Sequence, residues 1–241
     1  IGYEGMAVKD NWSWSRSNLF FGLPFYHTGI KATYELTDRL TAMMMLTNGW
    51  NSVVDSNDWK SIAAQLVYKL PDRLTASFLY FGGPERPKGA PEGQAWRHLF
   101  DAWAQLDATA WLSFAAHGNA GFEQNNFGVS YWGTGALYAR VQPVSWLYVA
   151  ARGDAFWEHA AANDDGEAAR IFWPSDVVGS GTLTADFRPH SNVSFRLEYR
   201  HDQAASDMFF AGAVTGDGAA TPYVPNAASQ DTLTAGLTGW F

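Results

Sequence analysis

The chain contains no cysteine, which removes disulfide frameworks and thiolate metal sites. Charge is scarce: Asp, Glu, Lys and Arg make up 17% of the 241 residues. The 16 basic residues are scattered and outnumbered by 24 acidic ones, a net charge of −8, which excludes a nucleic-acid binder. No stretch approaches the roughly 18 consecutive apolar residues of a spanning helix. The apolar content of 47% excludes a disordered chain. Aromatic rings, in contrast, are abundant: 12 Trp, 10 Tyr and 16 Phe, beside 23 Gly. Many rings, little charge and no long apolar run describe the transmembrane β-barrel, a class to which average hydropathy is blind.

Two segments nearly repeat. Tyr34-Glu-Leu-Thr-Asp-Arg-Leu-Thr-Ala42 matches Tyr68-Lys-Leu-Pro-Asp-Arg-Leu-Thr-Ala76, and each carries a short Asp-Arg turn between alternating runs. Asp bonds its own backbone and Pro presets φ, so both halves read as hairpins. Similar turns follow at 107–110, 142–145 and 188–192. The spacing fits two strands, a turn and a loop; it would also suit helical repeats, and the period within segments decides. That period is 2. Val193, Phe195, Leu197 and Tyr199 share one face and Ser194, Arg196, Glu198 and Arg200 the other. Ile62, Ala64, Leu66 and Tyr68 oppose Ala63, Gln65, Val67 and Lys69 in the same way. Alternation would scatter apolar residues around a helix, so these are strands.

Twelve strands are expected, at 2–10, 28–36, 40–50, 59–70, 74–82, 96–107, 110–120, 127–141, 145–157, 176–187, 193–202 and 230–241. Together they make an all-β, antiparallel up-and-down transmembrane barrel, residues 1–241 forming one domain or the C-terminal part of a longer barrel. Connections at 51–58, 84–95, 158–174 and 203–228 are longer than the turns on the opposite side, as short periplasmic turns and longer extracellular loops would be. Trp50, Trp59, Tyr80, Phe81, Trp111, Trp146, Phe156 and Trp157 crowd the strand ends, where interfacial girdles sit. Segment 11–27 reads as a long loop, a pore constriction or part of a strand. Ile1 follows no basic-then-apolar leader, so a signal peptide is expected to have been removed or not included.

The chain ends Gly236-Leu-Thr-Gly-Trp-Phe241. A last alternating strand closing on Phe resembles the C-terminal signal of bacterial outer-membrane proteins, which implies Trp240 and Phe241 as the assembly signal and the barrel-assembly machinery as a partner. Asn11-Trp-Ser-Trp-Ser-Arg-Ser17, Gly22-Leu-Pro-Phe-Tyr-His-Thr-Gly29 and Thr47-Asn-Gly-Trp50 are similar to the outer-membrane family called putative beta-barrel porin-2, or OmpL-like. The resemblance implies a passive pore in the bacterial outer membrane, embedded in its lipid, with no defined substrate. Members of that family are usually longer and often have more strands.

The polar face supplies the candidate lumen residues: Lys31, Glu35, Gln65, Lys69, Arg97, Asp101, Gln105, Asp107, His117, Asn119, Arg140, Arg152, Asp154, Asp186, Arg196, Glu198 and Arg200. Either a cross-strand salt-bridge lattice or a field that selects solutes would use them, and both can hold. Ser113, His117, Asp101 and Asp107 share a face on adjacent strands, an imaginable Ser–His–Asp set, but no Gly-x-Ser-x-Gly elbow supports catalysis. Asn163-Asp-Asp-Gly-Glu167 lacks calcium-loop spacing and reads as a solvated loop. No cofactor, metal, enzymatic activity or nucleic-acid partner is expected. The resulting function is diffusion of small hydrophilic solutes or ions. The alternatives are a structural sleeve in an envelope complex, with another chain in its lumen, and a soluble β-sandwich binding module. A homo-oligomer or other envelope subunits are further partners that these readings admit.

Overall fold

The computed structural model describes residues 1–241 except 217, 219 and 220. Eleven strands form one antiparallel sheet in sequence order: β1 Gly29–Thr37, β2 Leu40–Thr47, β3 Ser61–Leu70, β4 Leu74–Pro84, β5 Trp96–Thr109, β6 Leu112–Asn125, β7 Gly128–Val144, β8 Leu147–His159, β9 Val177–His190, β10 Val193–Ala204 and β11 Ser229–Gly239. Each pairs only with its sequence neighbours, the meander of an up-and-down barrel wall. Among the described residues β1 and β11 pair with no third strand, so the wall is open at that seam. With an odd strand count these two edges run in the same direction.

The wall is inside-out relative to a soluble protein. Register keeps each cross-strand row on one face; Leu66, for example, lies opposite both Ala42 and Phe78. The outer rows carry Ile30, Tyr34, Met44, Leu66, Leu137, Leu197, Leu233 and Leu237, all exposed, Leu233 to 81%. The inner rows carry Asp101, Arg152, Glu198 and Arg196, all buried. An apolar face of this extent is far larger than the few hundred Å² that soluble monomers show, and lipid is the solvent that matches it. A single sheet with its apolar face outward overturns the β-sandwich alternative, which needs two sheets packed through apolar faces.

Two expectations are corrected. The strand at 2–10 does not form. Gly2 and Gly5 interrupt it, Asn11 bonds the Gly5 amide and carbonyl through its side chain (2.8 and 2.9 Å), and a 3-10 turn spans Val8–Asp10. Among the described residues the count is therefore eleven, not twelve. The four connections expected to be long are long, and β6 and β7 are joined by the two-residue turn 126–127. The girdle also loses three members. Trp59, Trp111, Trp146 and Trp157 are exposed, but Phe81 and Phe156 fall on the inner parity and are fully buried, and Trp50 packs on Phe81 at 5.7 Å.

Candidate functional site

Strand parity brings all seventeen candidate lumen residues to the inner face. On β5 to β8 the inner rows read Asp101↔Asn119, Asn119↔Thr134 and Thr134↔Phe156, and on β9 and β10 Asp186↔Arg196. Arg97, Asp101, His117, Asn119, Arg152, Asp154, Asp186, Arg196 and Glu198 are buried; Gln65, Gln105, Asp107, Arg140 and Arg200 are half-buried; Lys31, Glu35 and Lys69 are exposed. Some pair: His117 Nε2 with Asp101 Oδ2 at 2.6 Å between β5 and β6, Arg196 with Asp186 at 3.2 Å between β9 and β10, and Arg152 with Asp154 at 3.2 Å two residues along β8. Others do not meet. Glu198, although flanked by Arg196 and Arg200 in sequence, forms no ion pair with either.

What occupies these charges is the chain's own residues 1–28, which run inside the wall. Glu198 accepts from the amides of Trp14 (2.5 Å) and Ser15 (2.9 Å). Arg152 donates to the Ser15 carbonyl (2.7 Å) and the Arg16 carbonyl (3.2 Å), and pairs with Glu4 at 3.1 Å. Asp154 accepts from the Asn18 amide (2.8 Å), Arg196 donates to the carbonyls of Val8 and Ser13, and Arg200 to that of Arg16. The reason is general: an irregular segment away from water must have its backbone groups satisfied, and here wall side chains do it. Locally the segment also braces itself. Glu4 accepts from the Ser17 amide and hydroxyl, and Ser17 caps the 3-10 turn Asn18–Gly22, whose Leu19 is fully buried.

A second inward element comes from the loop 160–176. Glu158 accepts from three successive amides, Ile171, Phe172 and Trp173, at 2.5 to 3.2 Å. This seats Phe172 against Trp132 (5.0 Å) and Phe156 (5.4 Å). At the rim Arg86 joins Glu92 and Glu123, and Arg97 also binds Glu123. Glu85 there accepts from the Trp50 amide (2.6 Å) and the Ser61 hydroxyl (2.6 Å); burial raises its pKa above the usual carboxylate value. Glu123, Glu158, Asp202, Glu85 and Glu4 were missed by the sequence reading. Carrying the alternation of β6 and β8 past 120 and 157 reaches Glu123 and Glu158, and Asp202 ends the expected strand 193–202 on the face of Arg200, so a signal existed for those three. For Glu4 there was none.

The space that residues 1–28 leave open lies beside β1 to β5. One cavity of about 500 Å³ is lined by Phe25, His27, Lys31, Met43, Met45 and Gln65 among others. A second of about 420 Å³ is lined by Tyr3, Trp12, Lys69, Trp103, Gln105 and Tyr138 among others. Val67 belongs to both walls. Burial pushes His27 down to about 4, leaving it neutral at pH 7.

The arrangement offers no hydrolytic set. Ser113 donates to Asp107 (2.6 Å) rather than to His117, which lies four residues along the same strand, about 13 Å away. Among the described residues no group of three His, Asp or Glu could hold a metal ion. The bore that a sleeve would give to another chain is taken by residues 1–28 and 171–173.

A model of the family described as putative beta-barrel porin-2, OmpL-like, matches residues 1–240. A solved structure of the NanC porin in a rhombohedral crystal form is similar at 13% identity and a TM-score of 0.45, covering 88% of this chain and 91% of that one. No curated protein matches the sequence.

Proposed function

Because the chain belongs to the putative beta-barrel porin-2, OmpL-like, family of outer-membrane porins, we propose that it passes small hydrophilic solutes and ions by passive diffusion. The route is the space beside β1 to β5, with residues 1–28 as the constriction. The observation that carries this reading is the inverted wall: apolar side chains outward over the whole sheet, charges inward. A channel rather than an enzyme is what the family and the fold support.

Most inner carboxylates are committed to backbone amides or to arginines, so the −8 formal charge does not act in the passage. Acidic loops such as 163–167 act at the mouth instead, within a Debye length of about 8 Å at physiological salt. In planar bilayers with a KCl gradient, the purified protein should give discrete channels, slightly anion-leaning at 1 M salt and drifting toward cations at low salt. Heat-modifiable, β-rich protein that inserts without conducting would refute the pore. Strong cation selectivity persisting at 1 M would refute the assigned route.

The same proposal places the chain in the bacterial outer membrane, among its lipids, delivered by the barrel-assembly machinery. Phe241 is fully exposed and packs on nothing, which fits a signal better than a structural ring. Deleting it should reduce membrane insertion in cells and leave detergent refolding intact; equal loss in both would refute the distinction.

A further inference from the structure

The two open cavities share a chemistry. In the first, Lys31 is the only charged side chain among the described lining residues, and Phe25, Met43 and Met45 supply apolar surface. In the second, the acids Glu4 and Asp10 are neutralised by Arg152 (3.1 Å) and Lys9 (2.7 Å), which leaves Lys69 unpaired beside Trp12, Trp103 and Tyr138. Among the described residues neither Lys31 nor Lys69 has an ion-pair or side-chain hydrogen-bond partner. Cross-strand register sets Lys31 level with Met45, and Met45 level with Ala63. Lys69 lies six residues farther along β3, so the two ammonium-bearing positions are separated by about 20 Å along the wall.

We propose that Lys31 and Lys69 are successive stations for small organic carboxylates bearing an apolar or aromatic body, the ammonium groups taking the carboxylate and the Met and aromatic walls taking the body. This rests on the pore reading above and adds a substrate class to it. A fully basic bore would favour any anion and a fully apolar one would reject charge. One cation in each amphipathic cavity selects solutes with both parts. Two weak stations in series also meet the requirement that a solute bind well enough to enter and loosely enough to leave.

Benzoate is the test probe, with benzylammonium as its cationic counterpart, applied to single channels in planar bilayers. Benzoate should reduce the KCl conductance in a concentration-dependent way and benzylammonium should not. Lys31→Gln and Lys69→Gln should each raise the half-blocking benzoate concentration about five-fold, the worth of one ammonium–carboxylate contact at about 4 Å in a water-like dielectric. Lys88→Gln removes the same charge from an exposed loop pair with Asp58, lines neither cavity, and should leave block unchanged. Because the ladders hold Lys31 and Lys69 through their backbones and no side-chain bond of either is found among the described residues, their Gln variants retain the wall. Equal block by the two probes, or Lys31→Gln and Lys69→Gln behaving as Lys88→Gln does, overturns the inference while leaving the pore intact. Wild-type protein that inserts and passes no current overturns the pore reading and this inference with it.

Discussion

Replacing Glu198 by Ala should weaken the docking of the lumen segment without opening the wall. The carboxylate is 2% exposed and accepts three hydrogen bonds, from the amides of Trp14 and Ser15 and from the Thr184 hydroxyl. A hydrogen bond to an ionised group contributes about 1.5–3 kcal/mol. Two of the three cross to the segment, and undocking lets its amides regain water, so about 3 kcal/mol is the reasonable net loss. That shifts the docked-to-free ratio about 100-fold. The backbone ladders of β10 to β9 and β11 do not involve the side chain and should survive. Since the chain has no cysteine, Ser13→Cys introduces a unique thiol at a position 2% exposed, whose hydroxyl has no partner. Its labelling by a water-soluble maleimide should be slow alone and about 100-fold faster with Glu198→Ala, accompanied by larger conductance levels. Ser56→Cys, on an exposed loop, should label equally in both backgrounds. An unchanged rate at position 13, with heat-modifiable mobility retained, would refute the claim that the inner carboxylate holds the segment.

A Cβ at Gly236 would meet the Trp14 ring at 2.2 Å, so Gly236→Ala should push that ring off β11 and raise conductance, whereas Gly153→Ala, with nothing within 4 Å, should not; equal single-channel conductances would refute the packing. Leu197→Arg puts a cation on the lipid face of β10 and should cost about 2–4 kcal/mol, lowering the urea midpoint of folding into vesicles; an unshifted midpoint would reverse the facing of the wall. Glu85 has a raised pKa in the folded protein, so the native state binds more protons than the unfolded one over that window. Its contribution is fully present below the ordinary value of 4.5 and declines as pH rises through the raised value. Protease cleavage in loops 48–60 and 85–95 should therefore increase over that range in the wild type and stay flat in Glu85→Gln. Matching pH profiles would refute the assignment.

The sequence by itself determined the wall. Alternation is a local property, because successive side chains of a strand point to opposite faces whatever lies beyond them, so Leu197 outward and Arg196 inward could be read from five residues. The tight turns at Asp38 and Asp72 were legible for the same reason, since Asp and Pro act on their own backbone. Residues 1–28 were not legible. Their conformation is decided by partners 102 to 188 positions away, Gln105 for Tyr3 and Arg196 for Val8, and no local period encodes such bonds. The roles of the inner charges followed from that. Glu198 beside Arg196 and Arg200 looked like one node of a salt-bridge lattice, yet only the tertiary structure brought the Trp14 and Ser15 amides to it. A buried amide without water outcompetes a neighbouring side chain that has other partners: Arg196 is held by Asp186 and by carbonyls of the segment, and Arg200 by Asp202. Phe81 and Phe156 teach the complementary lesson. Their parity already placed them inward, but what made an aromatic ring acceptable inside a polar bore was the inward loop carrying Phe172 and the entry of Trp50, both contacts made by loop residues that no strand period locates.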